Sequence, residues 1–139
     1  AIGSDSQISI NPWDELRWLE YGQRLASQSR NVVSLRDTHV GSELFLRALE
    51  GGAQAAGQSL SGIQVGAPAD LVALYADDPM LAGHDDDSRL DALVFSGYPL
   101  PVERVMVDGS GVVVDAVHVD RDRARDEFAA TLDRIGKQT

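Results

Sequence analysis

One aspartate leads the residues that could do chemistry. Gly3-Ser4-Asp5-Ser6 places an acid one residue after a Gly-Ser turn. Before it, Ala1-Ile2-Gly3 reads as the tail of a strand, and after it Asn11-Pro12 reads as a helix start. Strand ends that lead into helices are where (β/α)8 enzymes keep catalytic groups. Taken alone, the four residues fit a helix-capping aspartate better. His39, His84 and His118 invite a metal site, but they fall in no helical or hairpin spacing and no cysteine joins them, so loop or surface histidines are the better reading. Asp85-Asp86-Asp87 lacks the alternating oxygen ligands, central glycine and closing glutamate of a calcium loop and reads as a solvated turn. Gly51-Gly52 and Gly109-Ser110-Gly111 match no phosphate-loop pattern and read as packing or turn glycines.

Composition narrows the classes. With 22 acidic residues against 12 Lys and Arg, the net charge of −10 argues against a nucleic-acid or anionic-membrane surface, which needs clustered cations. The absence of cysteine removes disulfides, thiolate metal sites and a cysteine nucleophile. No apolar run approaches the ~20 residues of a membrane span. The N-terminus has no basic stretch followed by an apolar one, so no leader is expected there. These features lead us to expect a soluble, cytoplasmic protein.

The elements that would position Asp5 come next. Asn11 can cap a helix, Pro12 suits its first position, and Asp14 and Glu15 favour its positive end. Leu16, Leu19, Leu25 and Ala26 recur at helical spacing, which predicts a helix to about Ser27 and a loop over 30–38. A second helix is expected over 41–49, interrupted by Gly51-Gly52, with a short turn ending at Gly57. Trp13, Trp18 and Tyr21 read as packing residues. From about Ser59 the periodicity changes to that of strands. Residues 69–75, 93–95, 104–107 and 112–114 are the expected strands, the last two flanking a hairpin turn at Asp108-Gly109. Residues 120–135 read as a helix with Ala124, Phe128, Leu132 and Ile135 as its apolar stripe.

Several segments carry a family resemblance. Gly3-Ser4-Asp5-Ser6, then Glu15-Leu16-Arg17-Trp18-Leu19-Glu20-Tyr21-Gly22-Gln23-Arg24-Leu25 and Gly51-Gly52-Ala53-Gln54-Ala55-Ala56-Gly57-Gln58, resemble the N-formimino-L-glutamate deiminases of the amidohydrolase superfamily. Gly62-Ile63-Gln64-Val65-Gly66-Ala67-Pro68-Ala69-Asp70-Leu71-Val72-Ala73-Leu74 is similar to the wider superfamily's signature where the chain leaves the barrel for a small β-sandwich. The resemblance covers nearly the whole chain, and the stretch from Leu16 to Leu25 carries its narrower part.

The resemblance implies an α/β fold: residues 1–58 as the last strand and helices of a (β/α)8 barrel, 59–119 as part of the sandwich and 120–139 as a C-terminal helix. It implies a divalent metal ion, zinc by that resemblance, held by histidines upstream and by Asp5. Asp5 would be both metal ligand and proton carrier, in hydrolysis of the formimino C=N bond to N-formyl-L-glutamate and ammonia. Gln7 stands where the family often has His, so no role is carried over to it. The partners implied are a small-molecule substrate, the N-terminal part of the barrel and a second copy in a homodimer. Other readings are a purine-type deaminase or chlorohydrolase-like amidohydrolase, or a structural piece with no chemistry of its own.

Overall fold

The structure is a computed structural model that describes residues 1–6, 9–34, 39–86, 88–97 and 99–137. Its elements divide between two units, one of residues 1–68 and 76–100, the other of 69–75 and 101–139.

In the first unit, helix α1 spans Pro12–Ser27. Its start follows the expected chemistry: the Asn11 side chain accepts from the Trp13 N–H at 3.1 Å, and Pro12 occupies the first turn, where its missing N–H is harmless. Helix α2 spans Val40–Ala55 and runs straight through Gly51-Gly52, correcting the expected interruption. Two helical glycines cost about 1 kcal/mol each relative to alanine, but packing overrides that preference. A Cβ on Gly51 would lie 2.5 Å from the Ala1 nitrogen, so only glycine admits the N-terminal segment there. The helix ends in a Schellman motif, with Gln58 N–H on the Ala53 carbonyl, Gly57 N–H on the Gln54 carbonyl and Gly57 at φ +72°.

Helix α3, Arg89–Phe95, overturns the strand expected at 93–95. Leu93, Val94 and the preceding Ala92 are all buried. A short apolar run buried on every side carries no period, so it cannot separate strand from helix. The deciding signal lies just upstream. Asp85 and Ser88 exchange hydrogen bonds, Ser88 N–H to Asp85 Oδ1 at 2.9 Å and Asp85 N–H to Ser88 Oγ at 3.1 Å, a reciprocal pair that closes a tight turn leading into the helix. The acidic run thus leads into a helix: Asp85 closes the turn ahead of Ser88, the residue at the helix N-cap, Asp86 pairs with Arg89 at 2.9 Å, and Asp87 lies outside the described residues. A short 3-10 turn at Pro79–Leu81 precedes it.

Leu16, Val40, Leu44 and Val94 form the core of this unit, with Trp13, Val33, Phe45, Ala48 and Phe95 packed around them. Trp13 stacks on Phe45 at 5.4 Å. Helices α2 and α3 meet at Gly41, where a Cβ would come within 2.6 Å of backbone atoms of Leu90 and Asp91. Of the α1 stripe, Leu16 is buried while Leu19 and Leu25 face out. Ala1, Ile2 and Gly3 form no strand, because a strand is defined by its partner and none of the described residues pairs with them.

The second unit holds an antiparallel meander in the order β1 (Leu71–Leu74), β2 (Val102–Val107), β3 (Ser110–Val114) and β4 (Val117–His118). Register is set by Val72 opposite Val105 and Val105 opposite Val113. The hairpin falls where Asp108-Gly109 predicts it. Both residues take positive φ, 47° and 75°, as a two-residue primed turn demands. Asp70 Oδ1 accepts the Asp108 N–H at 2.8 Å, and the Ala69 carbonyl accepts the Gly109 N–H. Asp70 of the Gly62–Leu74 signature therefore has a structural task, fastening the hairpin turn to the start of β1. A second tight turn puts Asp115 and Ala116 at φ 50° and 62°. Helix α4, Arg121–Gly136, follows; it buries none of its residues, and Phe128, Leu132 and Ile135 are exposed along its stripe.

Candidate functional site

Asp5 sits in a three-residue turn. The Ser6 N–H bonds back to the Ser4 carbonyl, and Asp5, between them, is at φ 53°. A turn of that span around a left-handed residue is rare and strained, and Asp and Asn tolerate the conformation better than most residues. The carboxylate is exposed and, among the described residues, has no hydrogen-bond or ion-pair partner. It caps no helix: that role at α1 belongs to Asn11, while Ser9 Oγ donates to Asp14 at 3.0 Å. Among the described residues, no three His, Asp or Glu side chains are grouped so as to hold a metal ion. Gln7 lies outside the described residues.

A cleft of about 590 Å³ in the first unit lies elsewhere, lined by Arg24, His39, Met80, His84, Asp91 and Phe95, among others. Two residues on either side order it. Asp91, on α3, accepts the Gly41 N–H through Oδ1 and bonds His39 Nδ1 through Oδ2, so it serves the N-terminus of α2 as a cap supplied from another helix. Glu20, on α1, is wholly buried, and its carboxylate collects Arg24 Nε at 2.7 Å, Val33 N–H at 3.0 Å and Val32 N–H at 3.1 Å. Burial alone would raise the Glu20 pKa. The bonds from Arg24, Val33 and Val32 and the charge of Arg24 outweigh it and hold the carboxyl below its ordinary 4.5. Asp85 is also held low, first by the Ser88 hydroxyl and N–H bonds and more weakly by His39.

Sequence reading kept the histidines apart, yet His39 and His84 line the same cleft. Neither Glu20 nor Asp91 was marked by any local motif. His118 lies in the other unit, on β4, where its Nδ1 accepts the Asp120 N–H.

No model of a known protein family matches the chain. Over 97% of its length the chain is 42% identical to the formimidoylglutamate deiminase of Pseudomonas aeruginosa. The chain is similar to part of a formimidoylglutamate deiminase. It spans only 30% of that deiminase. The crystal structure of an amidohydrolase from Brucella melitensis superposes with a TM-score of 0.87 and 38% identity, over 96% of this chain and 29% of that one. Both relatives are hydrolytic enzymes by name, and the mixed helix-and-strand fold matches a fragment of an amidohydrolase. No helix among the described residues is long and apolar enough to cross a membrane.

Proposed function

We propose that this chain is the C-terminal part of a metal-dependent deiminase that hydrolyses the formimino C=N bond of N-formimino-L-glutamate, releasing ammonia and N-formyl-L-glutamate. The observation that carries the proposal is the 42% identity to a formimidoylglutamate deiminase over nearly the whole chain. In this reading residues 1–58 complete a (β/α)8 barrel whose remainder lies in the parent protein, 59–119 contribute to a β-sandwich, and 120–139 end the chain. The parent acts in the cytoplasm, in histidine breakdown, as a homodimer.

Asp5 fits as one ligand of a divalent ion, zinc in this proposal: it is a hard oxygen donor, exposed and unengaged. The remaining ligands belong to the parent outside these residues. When bound, such an ion lowers the pKa of a coordinated water to about 7. The part of Asp5 is proton transfer. As water adds to the formimino carbon, an Asp5 carboxylate oxygen takes up one of its protons and delivers it to the terminal nitrogen. The adduct's hydroxyl proton then passes to the same nitrogen as the C–N bond breaks, so ammonia leaves and the carbon keeps the oxygen as a formyl group. Strain at Asp5 is consistent with such a role, since left-handed non-glycine residues gather at active sites.

In the full-length protein, Asp5→Asn removes the proton acceptor and should lower kcat by about 10²-fold or more with the fold intact. Ammonia release from N-formimino-L-glutamate, with circular dichroism as the fold control, tests this. Near-normal turnover in the folded variant would overturn it. The Brucella melitensis relative, called simply an amidohydrolase, favours a second reading, a deaminase or chlorohydrolase-like enzyme acting on a different substrate. A panel of purine and chlorinated heteroaromatic substrates alongside N-formimino-L-glutamate decides between them.

A further inference from the structure

The cleft of the first unit is not lined by Asp5, and its arginine sits in the last turn of α1 while Asp5 precedes the first. From Pro12 to Arg24 the helix rises roughly 18 Å. The cleft is therefore a separate place, and its construction suits a ligand. Arg24 is fixed from two directions: its Nε is bonded to the buried Glu20, and its guanidinium lies over the rings of Tyr21 and Phe95 at 5.4 and 5.2 Å. Among the described residues Nη1 and Nη2 carry no hydrogen bond, so the outer fork of a pre-oriented guanidinium remains open. That fork matches a carboxylate in two parallel hydrogen bonds. Glu20 does not cancel this, because its carboxylate is also spent on the Val32 and Val33 N–H groups.

The other walls divide by polarity. Val40, Met80, Ala92 and Phe95 supply apolar surface, and His84 adds an imidazole. Asp91 is the opposing charge, and it is already offset by the Gly41 N–H and His39. A volume of about 590 Å³ lies within the ~300–1,000 Å³ range of small-molecule sites.

We propose that this cleft binds a short aliphatic carboxylate, its head on the outer fork of Arg24 and its tail against Met80, Val40 and Phe95. The test uses the full-length protein and isothermal titration with hexanoate, hexanol and inorganic phosphate as probes. Saturable binding of hexanoate at millimolar concentration or below is expected, with hexanol and phosphate each at least about tenfold weaker, since each lacks one half of the match. Arg24→Gln risks unfolding by leaving Glu20 unpaired in the interior. Arg24→Lys keeps the charge but not the fork, and should weaken hexanoate about tenfold. Met80→Trp, which fills the cleft without touching Glu20, should abolish binding. Asp5→Asn should leave hexanoate affinity unchanged, which separates this site from the proposed catalytic one. Absence of saturable binding up to about 10 mM, equal affinity for hexanol or phosphate, undiminished binding in folded Met80→Trp, or loss in Asp5→Asn would each overturn the proposal.

Discussion

Replacing Glu20 with alanine should be among the most damaging single changes in the first unit. The side chain is 0% exposed and holds three groups at once. Hydrogen bonds to a charged acceptor contribute about 1.5–3 kcal/mol each when dry. Val32 and Val33 are only half-buried, so their two N–H groups recover part of that from water and together account for about 2 kcal/mol. Arg24 remains 29% exposed and can rehydrate, which limits the ion pair to about 1 kcal/mol. A void where a buried side chain stood adds about 1 kcal/mol more. The sum, about 4 kcal/mol, falls in the range for breaking a buried pair and corresponds to a drop in Tm of about 15 °C or more for a unit of this size. Denaturant unfolding followed by circular dichroism at pH 7 measures it directly. The pH dependence gives an independent reading. Glu20 has its pKa lowered in the folded state, so its contribution is complete above the unfolded value of about 4.5 and disappears as the pH falls through the lower folded one. Glu20→Gln should accordingly lose stability at pH 7 and show a flatter profile below pH 4.5 than the parent sequence. An alanine variant within about 0.5 kcal/mol of the parent would refute the view that the backbone at Val32 and Val33 hangs on this carboxylate.

Three further outcomes follow from the geometry. Gly41→Ala drives a methyl into the backbone of Leu90 and Asp91, 2.6 Å away, and should destabilise the α2–α3 contact by about 1–3 kcal/mol in the same unfolding assay. Ala116→Gly relieves an alanine at φ 62° and should stabilise the sheet unit by up to about 1 kcal/mol, read as a higher denaturation midpoint. The isolated 139-residue chain should take up zinc only weakly in a competition titration with a chromogenic chelator, since no three ligands are grouped among the described residues.

Where the amino-acid sequence was legible, local chemistry decided the structure. Asn11-Pro12 starts α1 and Asp108-Gly109 turns the hairpin because capping and positive φ are properties of the residues themselves. Where the structure departed from expectation, distant contacts decided. Gly51-Gly52 stays helical because Ala1 lies against it, a fact with no trace in the flanking residues. Leu93-Val94-Phe95 becomes helix because its run is largely buried, and the reciprocal Asp85–Ser88 pair that turns the chain into it was hidden inside what read as a solvated acidic turn.

The candidate sites differ in the same way. Asp5 could be singled out because its neighbours resemble a family, and the structure adds the strained turn and the absence of a capping role. The cleft could not be singled out. Glu20 and Arg24 look like an ordinary pair one helical turn apart, and nothing in their spacing shows that the carboxylate is buried or that Phe95 comes to lie beneath the guanidinium. His39 and Asp91 meet across 52 residues of sequence. A capping acid delivered from another helix obeys the same electrostatics as a local one, but it leaves no spacing to read. Sites assembled by tertiary packing therefore fall outside motif reasoning even when every residue in them behaves by ordinary rules.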